Sequence, residues 1–257
     1  MNLSRIWGLF LRYYYHLVHS YDRLTDMFFW PLLDLLLWGL TSRYLISTGY
    51  IDNRIILTLL GGIILWIFPW RGQYEITVNL LEELWNRNLI NIFATPLRFS
   101  EWVITLLLVG IFKSAISFGF AALVAIWLYA TNIFTLGLVL LPWMGVLILF
   151  GWVFGLFVSG IIMRYGTKIQ TLAWTSINIV VPFVGVYYPV STLPVWAQSV
   201  ANFVPASYVF EAMRQTILGH PVPVGNLLFP LLLCCLYLAL ATLFLYRSYR
   251  HVLTRGL

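Results

Sequence analysis

The feature that most constrains the fold is an apolar stretch, residues 187–218, that Pro189, Pro194 and Pro205 interrupt. A proline removes a backbone donor and clashes with the preceding helical turn, so it ends or kinks a helix. The pieces between these prolines form helices of at most about 14 residues, whereas about 20 residues are needed to cross a bilayer. The stretch therefore predicts two short helices hinged near residues 202–205, which lie in the membrane interface or enter the membrane and return.

The composition indicates an integral membrane protein. The chain has 257 residues, of which 61% are hydrophobic and 9% are charged, whereas soluble domains carry about 25% charged residues. Lysine and arginine outnumber the acids by 15 to 9, but they flank apolar runs and form no basic blocks. We therefore expect them to anchor cytoplasmic loops, with membrane lipid and not nucleic acid as the partner. Cys234 and Cys235 lie within an apolar run, which favours buried, reduced thiols without metal or redox chemistry.

The N-terminal segment, residues 1–22, predicts an amphipathic helix. At about 100° per residue, its apolar side chains fall on one face and Arg5, Arg12, His16 and His19 fall on the other. We expect this helix to lie flat on the inner leaflet; a helix packed on a soluble partner is the alternative. The segment lacks the apolar core and cleavage site of a signal peptide. The apolar face comprises Leu3, Ile6, Trp7, Phe10, Leu11, Tyr14, Leu17 and Val18.

Six apolar runs predict six transmembrane helices, and with them a single-domain, all-α integral membrane protein. Between the second and third runs, residues 80–93 show helical periodicity with charged residues between the apolar ones, so we expect a second amphipathic helix there. Ser100 and Glu101 supply a cap and a first-turn acid where the chain re-enters the membrane. Residues 189–218 form the re-entrant half-helices. The six runs are 27–46, 55–78, 102–129, 136–163, 169–186 and 227–246.

The distribution of basic residues predicts the orientation. Six spans place both termini on one side, and cytoplasmic termini put most of the arginines in inner segments, as the positive-inside rule requires. This arrangement puts residues 80–93 in the cytoplasm, the proline-interrupted stretch outside, and the protein in the cytoplasmic (inner) membrane. The inner residues are Arg5, Arg12, Arg23, Arg87, Arg98, Arg164, Lys168, Arg247, Arg250 and Arg255, and the outer ones are Arg43, Arg54 and Arg214.

Two groups of residues carry a resemblance to a known family. Residues 188–214 combine an external proline, a Leu-Pro-x-Trp turn, an Asn-x-x-Pro hinge and a terminal arginine, and an Arg-Asn and a Pro element precede the third span. With these motifs and the order of its elements, the whole chain resembles the permease subunit of a type-2 ATP-binding-cassette (ABC) exporter. The matching residues are Pro189, Leu193, Pro194, Trp196, Asn202, Pro205 and Arg214, and then Arg87, Asn88, Thr95 and Pro96.

The resemblance implies a complex of two permeases and two ATPase subunits, with ATP and Mg²⁺ bound on the ATPases. The second permease is expected to be another copy of this chain. The sequence is consistent with a separate ATPase subunit, because neither Lys113 nor Lys168 has the glycine and hydroxyl neighbours of a phosphate-binding P-loop. The chain is therefore not expected to be an enzyme by itself.

Two sets of contact residues follow from these considerations. Residues 80–93 offer charges that complement an ATPase surface; a simple interfacial connector is the alternative for this helix. The half-helices are expected to form an external gate. The coupling set is Glu82, Glu83, Arg87, Asn88 and Pro96, and the gate set is Pro189, Pro194, Trp196, Pro205, Glu211 and Arg214.

Charged residues inside a membrane are costly and so indicate function. Asp34, Arg71, Glu75 and Lys113 meet this criterion. We expect Arg71 to pair with Glu75 or the coupling helix, Asp34 to meet an arginine of the N-terminal helix, and Lys113 to line the path or to neutralise Asp34. Aromatic residues of the spans form either a path wall or an interface belt. The predicted path residues are Asp34, Trp38, Trp66, Lys113, Phe183 and Tyr187.

The leading hypothesis is ATP-driven export of an amphipathic or hydrophobic substrate, such as a drug, a lipid or a lipid-linked glycan. A polysaccharide exporter of the same family is an alternative. A secondary transporter or channel is another, although such a protein favours broken helices at the midplane and an inverted repeat. A membrane-embedded enzyme is disfavoured, because no His, Asp or Glu cluster has metal-ligand spacing.

Overall fold

The computed structural model describes residues 1–47, 53–220 and 222–255, and all regular elements in these residues are helical. Among the described residues, five helices are long and apolar enough to cross a membrane, namely those labelled α2, α3, α5, α6 and α11 below. The chain is therefore an all-helical protein compatible with a multi-pass membrane location. The helices are α1 (Leu3–Val18), α2 (Tyr21–Ser47), α3 (Asn53–Trp85), α4 (Leu89–Ala94), α5 (Phe99–Tyr129), α6 (Leu140–Tyr165), α7 (Leu172–Thr175), α8 (Val181–Val184), α9 (Val195–Ala201), α10 (Pro205–Ile217) and α11 (Leu228–Arg255).

Side-chain contacts give the directions of α2 and α5. The Ser117 hydroxyl donates to the carbonyl of Met27 at 2.9 Å, and the Tyr129 ring packs against Gly39. Because the residue numbers rise together on both helices, α2 and α5 run in the same direction.

Helices α3 and α6 also run parallel, and glycines bring them close together. Gly151 packs against the backbone of Pro69, and Gly155 packs against Ile76. A Cβ atom at Gly151 would overlap the Pro69 carbonyl oxygen, so this crossing requires glycine. The glycine pair at 151 and 155 therefore packs within the subunit.

Helix α11 runs parallel to α6. The Cys234 thiol lies 3.7 Å from the carbonyl oxygen of Val146, and Nε of Arg164 donates to the Ser248 hydroxyl at 2.9 Å. Cys234 is buried as predicted, whereas the adjacent Cys235 is exposed. The prediction for Cys235 was wrong because neighbouring residues on a helix point about 100° apart.

The fifth predicted span, residues 169–186, differs most from expectation. The structure divides it into 3₁₀ turns and the short helices α7 and α8, so within the described residues it is no continuous span. Pro182 and Gly185 disfavour an extended helix here. The side chains of Gln73 and Thr77 donate to the Ala173 carbonyl at 2.6 and 2.9 Å, which satisfies a backbone acceptor inside the bundle. We call residues 169–186 the interrupted segment.

The predicted amphipathic helix at residues 80–93 also differs. Residues 80–85 continue α3, and Leu80 and Leu81 are fully buried instead of facing a membrane. The helix ends because Arg87 adopts a positive φ of 50°, and the backbone N–H of Asn88 then donates to the Glu83 carbonyl at 2.8 Å. This is the hydrogen-bond pattern of a Schellman C-cap, after which the six-residue α4 begins.

Helix α1 and the last turns of α11 lie at the same end of the bundle. The backbone N–H of Asn2 donates to Glu101 at 2.7 Å, and the rings of Phe99 and Tyr249 stack with centroids 4.2 Å apart. We call the end formed by α1, α4 and the last turns of α6 and α11 the basic end. It carries most of the arginines predicted to be cytoplasmic. The side chains of Arg255, which belongs to that set, and of Arg54, which was predicted to be external, lie outside the described parts of the chain.

Helix α1 packs on α5 through only part of its apolar face. Ile6 and Leu17 are buried, together with Tyr13, which was not assigned to that face. Phe10 and Leu11 are partly buried, and the other four members of the predicted apolar face are left uncovered, as expected for a helix that also contacts lipid. The exposed members are Leu3, Trp7, Tyr14 and Val18.

Candidate functional site

A half-enclosed cavity of about 810 Å³ lies between α2, α3 and the interrupted segment. Most of its wall is aromatic or aliphatic, with two carboxylates, and small-molecule sites typically have this character and a volume of about 300–1,000 Å³. The aromatic lining residues are Trp30, Trp66, Trp70, Tyr74, Trp174 and Tyr187, and the other polar ones are Asp26, Asp34, Thr175 and Asn178.

The helical repeat of the sequence builds two walls of this cavity. On α2, Asp26, Trp30 and Asp34 follow one another at intervals of four residues, so they form one stripe. On α3, Trp66, Trp70 and Tyr74 have the same spacing. The third wall is formed by the interrupted segment, with Trp174 on α7, Asn178 on the 3₁₀ turn that follows it and Pro182 on α8.

Asp34 faces the cavity and is half-buried. In the described parts of the chain it makes no ion pair. The expectation that Asp34 meets Arg5 or Arg12 is therefore wrong: Arg5 lies 3.8 Å from Glu101 and Arg12 lies 2.7 Å from Glu83. The α1 arginines remain at the basic end of the bundle.

A buried ion network lies next to the cavity. Nη1 of Arg71 is 2.6 Å from Asp26 and 3.4 Å from Glu75, and Nζ of Lys113 is 2.6 Å from the other oxygen of Glu75. The pairing of Arg71 with Glu75 agrees with the prediction. The network joins α2, α3 and α5, and its two acids balance its two bases.

Lys113 therefore has a different role from the one predicted. It neutralises Glu75 and not Asp34, and it lies outside the cavity lining. Arg71 also orients two aromatic side chains of the α3 wall, because its guanidinium lies 4.7 Å from the Trp70 ring centroid and 5.6 Å from that of Tyr74. The network positions the aromatic wall without itself facing the cavity, except through Asp26.

The aromatic path residues divide into three groups. Trp66 and Tyr187 line the cavity. Trp38 stacks on Tyr187 with ring centroids 4.6 Å apart, so it supports the wall from behind. Phe183 points instead toward Trp196, with centroids 6.0 Å apart, and thus connects the interrupted segment to α9.

Sequence reasoning missed several lining residues, notably Asp26, Trp30, Tyr74, Trp174 and Asn178. The four-residue stripe on α2 carried a usable signal for Asp26 and Trp30. Trp174 and Asn178 are also four residues apart and so share one face of a helix, so the same signal was available for them.

The predicted coupling residues differ in accessibility. Glu83 is 4% exposed and accepts from Arg12 at 2.7 Å, from Tyr13 at 3.2 Å and from Asn88 at 2.6 Å. Glu82 pairs with Arg23. These two acids hold the chain's own elements together. The members with exposed side chains are Arg87 and Pro96.

The predicted gate residues surround the break between α9 and α10, which lie beside the first halves of α3 and α11, opposite the basic end. Pro194 and Pro205 stand at the starts of α9 and α10, and Pro189 precedes a 3₁₀ turn. Arg214 donates to Glu211 at 2.9 Å and to the Gly185 carbonyl at 2.7 Å.

Arg214 thus ties α10 to the end of the interrupted segment. Burial lowers the pKa of its guanidinium, and the neighbouring Glu211 carboxylate opposes that shift. The ordinary pKa of arginine is so high that the group stays charged at neutral pH. Trp196 of the same set is exposed on α9.

No protein-family model matches the chain, and a search of curated proteins also gives no match.

Proposed function

We propose that the chain is the permease subunit of an ATP-driven ABC exporter that moves an amphipathic or hydrophobic substrate outward across the cytoplasmic membrane. The observation that carries this proposal is the aromatic cavity of about 810 Å³ among helices of membrane length. A cavity with an apolar wall and few polar groups suits transient binding of a small amphipathic molecule.

The arrangement of the two ends supports an exporter. The basic end carries exposed Arg87 and Pro96, to which a separate ATPase is proposed to bind, with one ATPase on each of two permease copies. The break between α9 and α10 lies at the other end, where the ties from Arg214 to Gly185 and from Phe183 to Trp196 connect it to the cavity wall. Movement of α10 would then reach the cavity directly.

The test is affinity purification of the tagged chain from its native membranes, followed by mass spectrometry and an ATPase assay on the complex. We expect an ATPase in about equimolar amount, and loss of most of it with Arg87→Glu, because reversing an exposed interface charge leaves like charges opposed. The matched control is Arg247→Glu, an exposed arginine of α11 at the same end, which should retain the ATPase.

Glu83 is a poor site for this test, because its reversal would break the buried contacts with Arg12 and Tyr13. Recovery of the chain without a nucleotide-hydrolysing partner would overturn the exporter. Transport by the pure chain in vesicles without ATP would instead establish the secondary transporter, for which the buried ion network beside the cavity is the favouring observation.

A further inference from the structure

The charge of the cavity wall is unbalanced. Its lining includes Asp26 and Asp34 but no lysine, arginine or histidine among the described residues. Asp26 is neutralised by Arg71 at 2.6 Å, whereas Asp34 has no basic partner in the described parts of the chain. The cavity wall therefore holds one carboxyl group that lacks a basic partner.

An unpaired carboxylate inside a bundle of membrane-length helices is costly. The α2 stripe nonetheless places Asp34 one turn from Trp30 and on the cavity wall. A positively charged ligand would supply the missing countercharge and would recover that cost on binding. A neutral or anionic ligand would not.

The aromatic wall favours the same kind of ligand. Ring faces attract cations, and indole does so best. The faces of Trp70 and Tyr74 already accommodate Arg71, while Trp30, Trp66 and Trp174 have no cation over their rings in the described parts of the chain.

The polar lining does not suit a saccharide as well. Stacked sugars need several donors and acceptors for their hydroxyl groups, and apart from the two carboxylates the non-aromatic polar side chains are Thr175 and Asn178. The Asp34 charge also disfavours an anionic lipid head group.

We propose that this cavity binds an amphipathic organic cation, an apolar body with a single positive charge, with Asp34 as its counterion and Trp66 as part of its aromatic wall. Its identity as the exported substrate rests on the proposed function. The binding itself requires no ATPase.

The experiment compares two probes of equal shape and opposite charge, tetraphenylphosphonium and tetraphenylborate, titrated separately against the purified full chain in detergent. Asp34→Asn should weaken tetraphenylphosphonium binding about tenfold or more, the scale of one charge-assisted contact, and should not weaken tetraphenylborate binding. A damaged fold would weaken both probes. Asp22→Asn, the same change on α2 at an exposed residue outside the cavity, should leave the binding of both probes unchanged. Trp66→Leu should weaken the binding of tetraphenylphosphonium.

Equal binding of tetraphenylphosphonium to the Asp34→Asn and parent chains would overturn the inference, as would saturable binding of maltotetraose in its place. The two proposals fail separately. Cation binding without a co-purifying ATPase overturns the exporter and leaves the cation site standing. Recovery of the ATPase without Asp34-dependent cation binding overturns the cation site and leaves the exporter standing.

Discussion

Lys113 on α5 and Glu75 on α3 form a buried ion pair, with Nζ and Oε2 2.6 Å apart. Both residues are at most 5% exposed. Glu75 also contacts Arg71, which continues the network to Asp26 at the cavity wall. Breaking such a pair leaves an uncompensated buried charge, which is strongly destabilising.

Lys113→Met is expected to destabilise the protein strongly. Arg71 still neutralises Glu75 in part, so we expect the low end of the cost of a broken buried pair, about 3 kcal/mol. The measurement is the free energy of unfolding in mixed micelles by denaturant titration. Lys168→Met is the matched control, because Lys168 is exposed and its loss should cost less than about 0.5 kcal/mol. Equal losses for the two variants would contradict a structural role for the pair.

The close crossing of α3 and α6 gives a second prediction. Gly151→Ala places a methyl group against the Pro69 backbone, which cannot move aside as a side chain does, so overpacking should cost about 1–3 kcal/mol. Gly145 lies on the same helix with nothing within 4 Å of its added Cβ, so Gly145→Ala should be neutral or stabilising by up to about 1 kcal/mol. Thermal unfolding of both variants in the same detergent decides this, and a reversed order would refute the crossing.

The attachment of α1 to the bundle gives a third prediction. Glu83 accepts hydrogen bonds from Arg12 and Tyr13, so Glu83→Gln should loosen α1. Losing one charge-assisted contact predicts about tenfold faster amide exchange over residues 10–18 by mass spectrometry. Glu211→Gln, at the opposite end of the bundle, is the control and should leave α1 unchanged. Unaltered exchange in Glu83→Gln would mean that the apolar contacts of Ile6 and Leu17 suffice.

The sequence predicts the parts of the fold that local chemistry determines. The span predicted at 102–129 matches α5, Phe99–Tyr129, within three residues. A long apolar run in a membrane forms a helix because the helix satisfies its backbone hydrogen bonds internally. The break predicted near 202–205 separates α9 from α10, because a proline cannot continue a helix without losing a hydrogen bond.

The parts that the sequence does not predict depend on tertiary partners. Hydropathy makes 169–186 resemble a span, but the bonds from Gln73 and Thr77 to Ala173 stabilise an interrupted path. In the same way, the sequence offers Lys113 two acidic partners in the membrane, Asp34 and Glu75. The packing of α3 on α5 brings Lys113 to Glu75. Of the aromatic lining residues, Trp174 lies on this interrupted path, so hydropathy alone did not predict how that part of the cavity wall forms.

The last prediction concerns Arg214, which is 7% exposed and bonds both the Gly185 carbonyl and Glu211. Arg214→Gln should cost about 2–3 kcal/mol of unfolding free energy, because it removes a charged donor and leaves a buried carbonyl unsatisfied. Glu211→Gln should cost less than about 1 kcal/mol, because the Glu211 side chain is 37% exposed and exposed ion pairs contribute little. Denaturant titration of both variants separates the two contacts. If the hydrogen bond to Gly185 holds α10, Arg214→Gln should lose much more unfolding free energy than Glu211→Gln. Equal losses of unfolding free energy would mean that the surface ion pair holds α10.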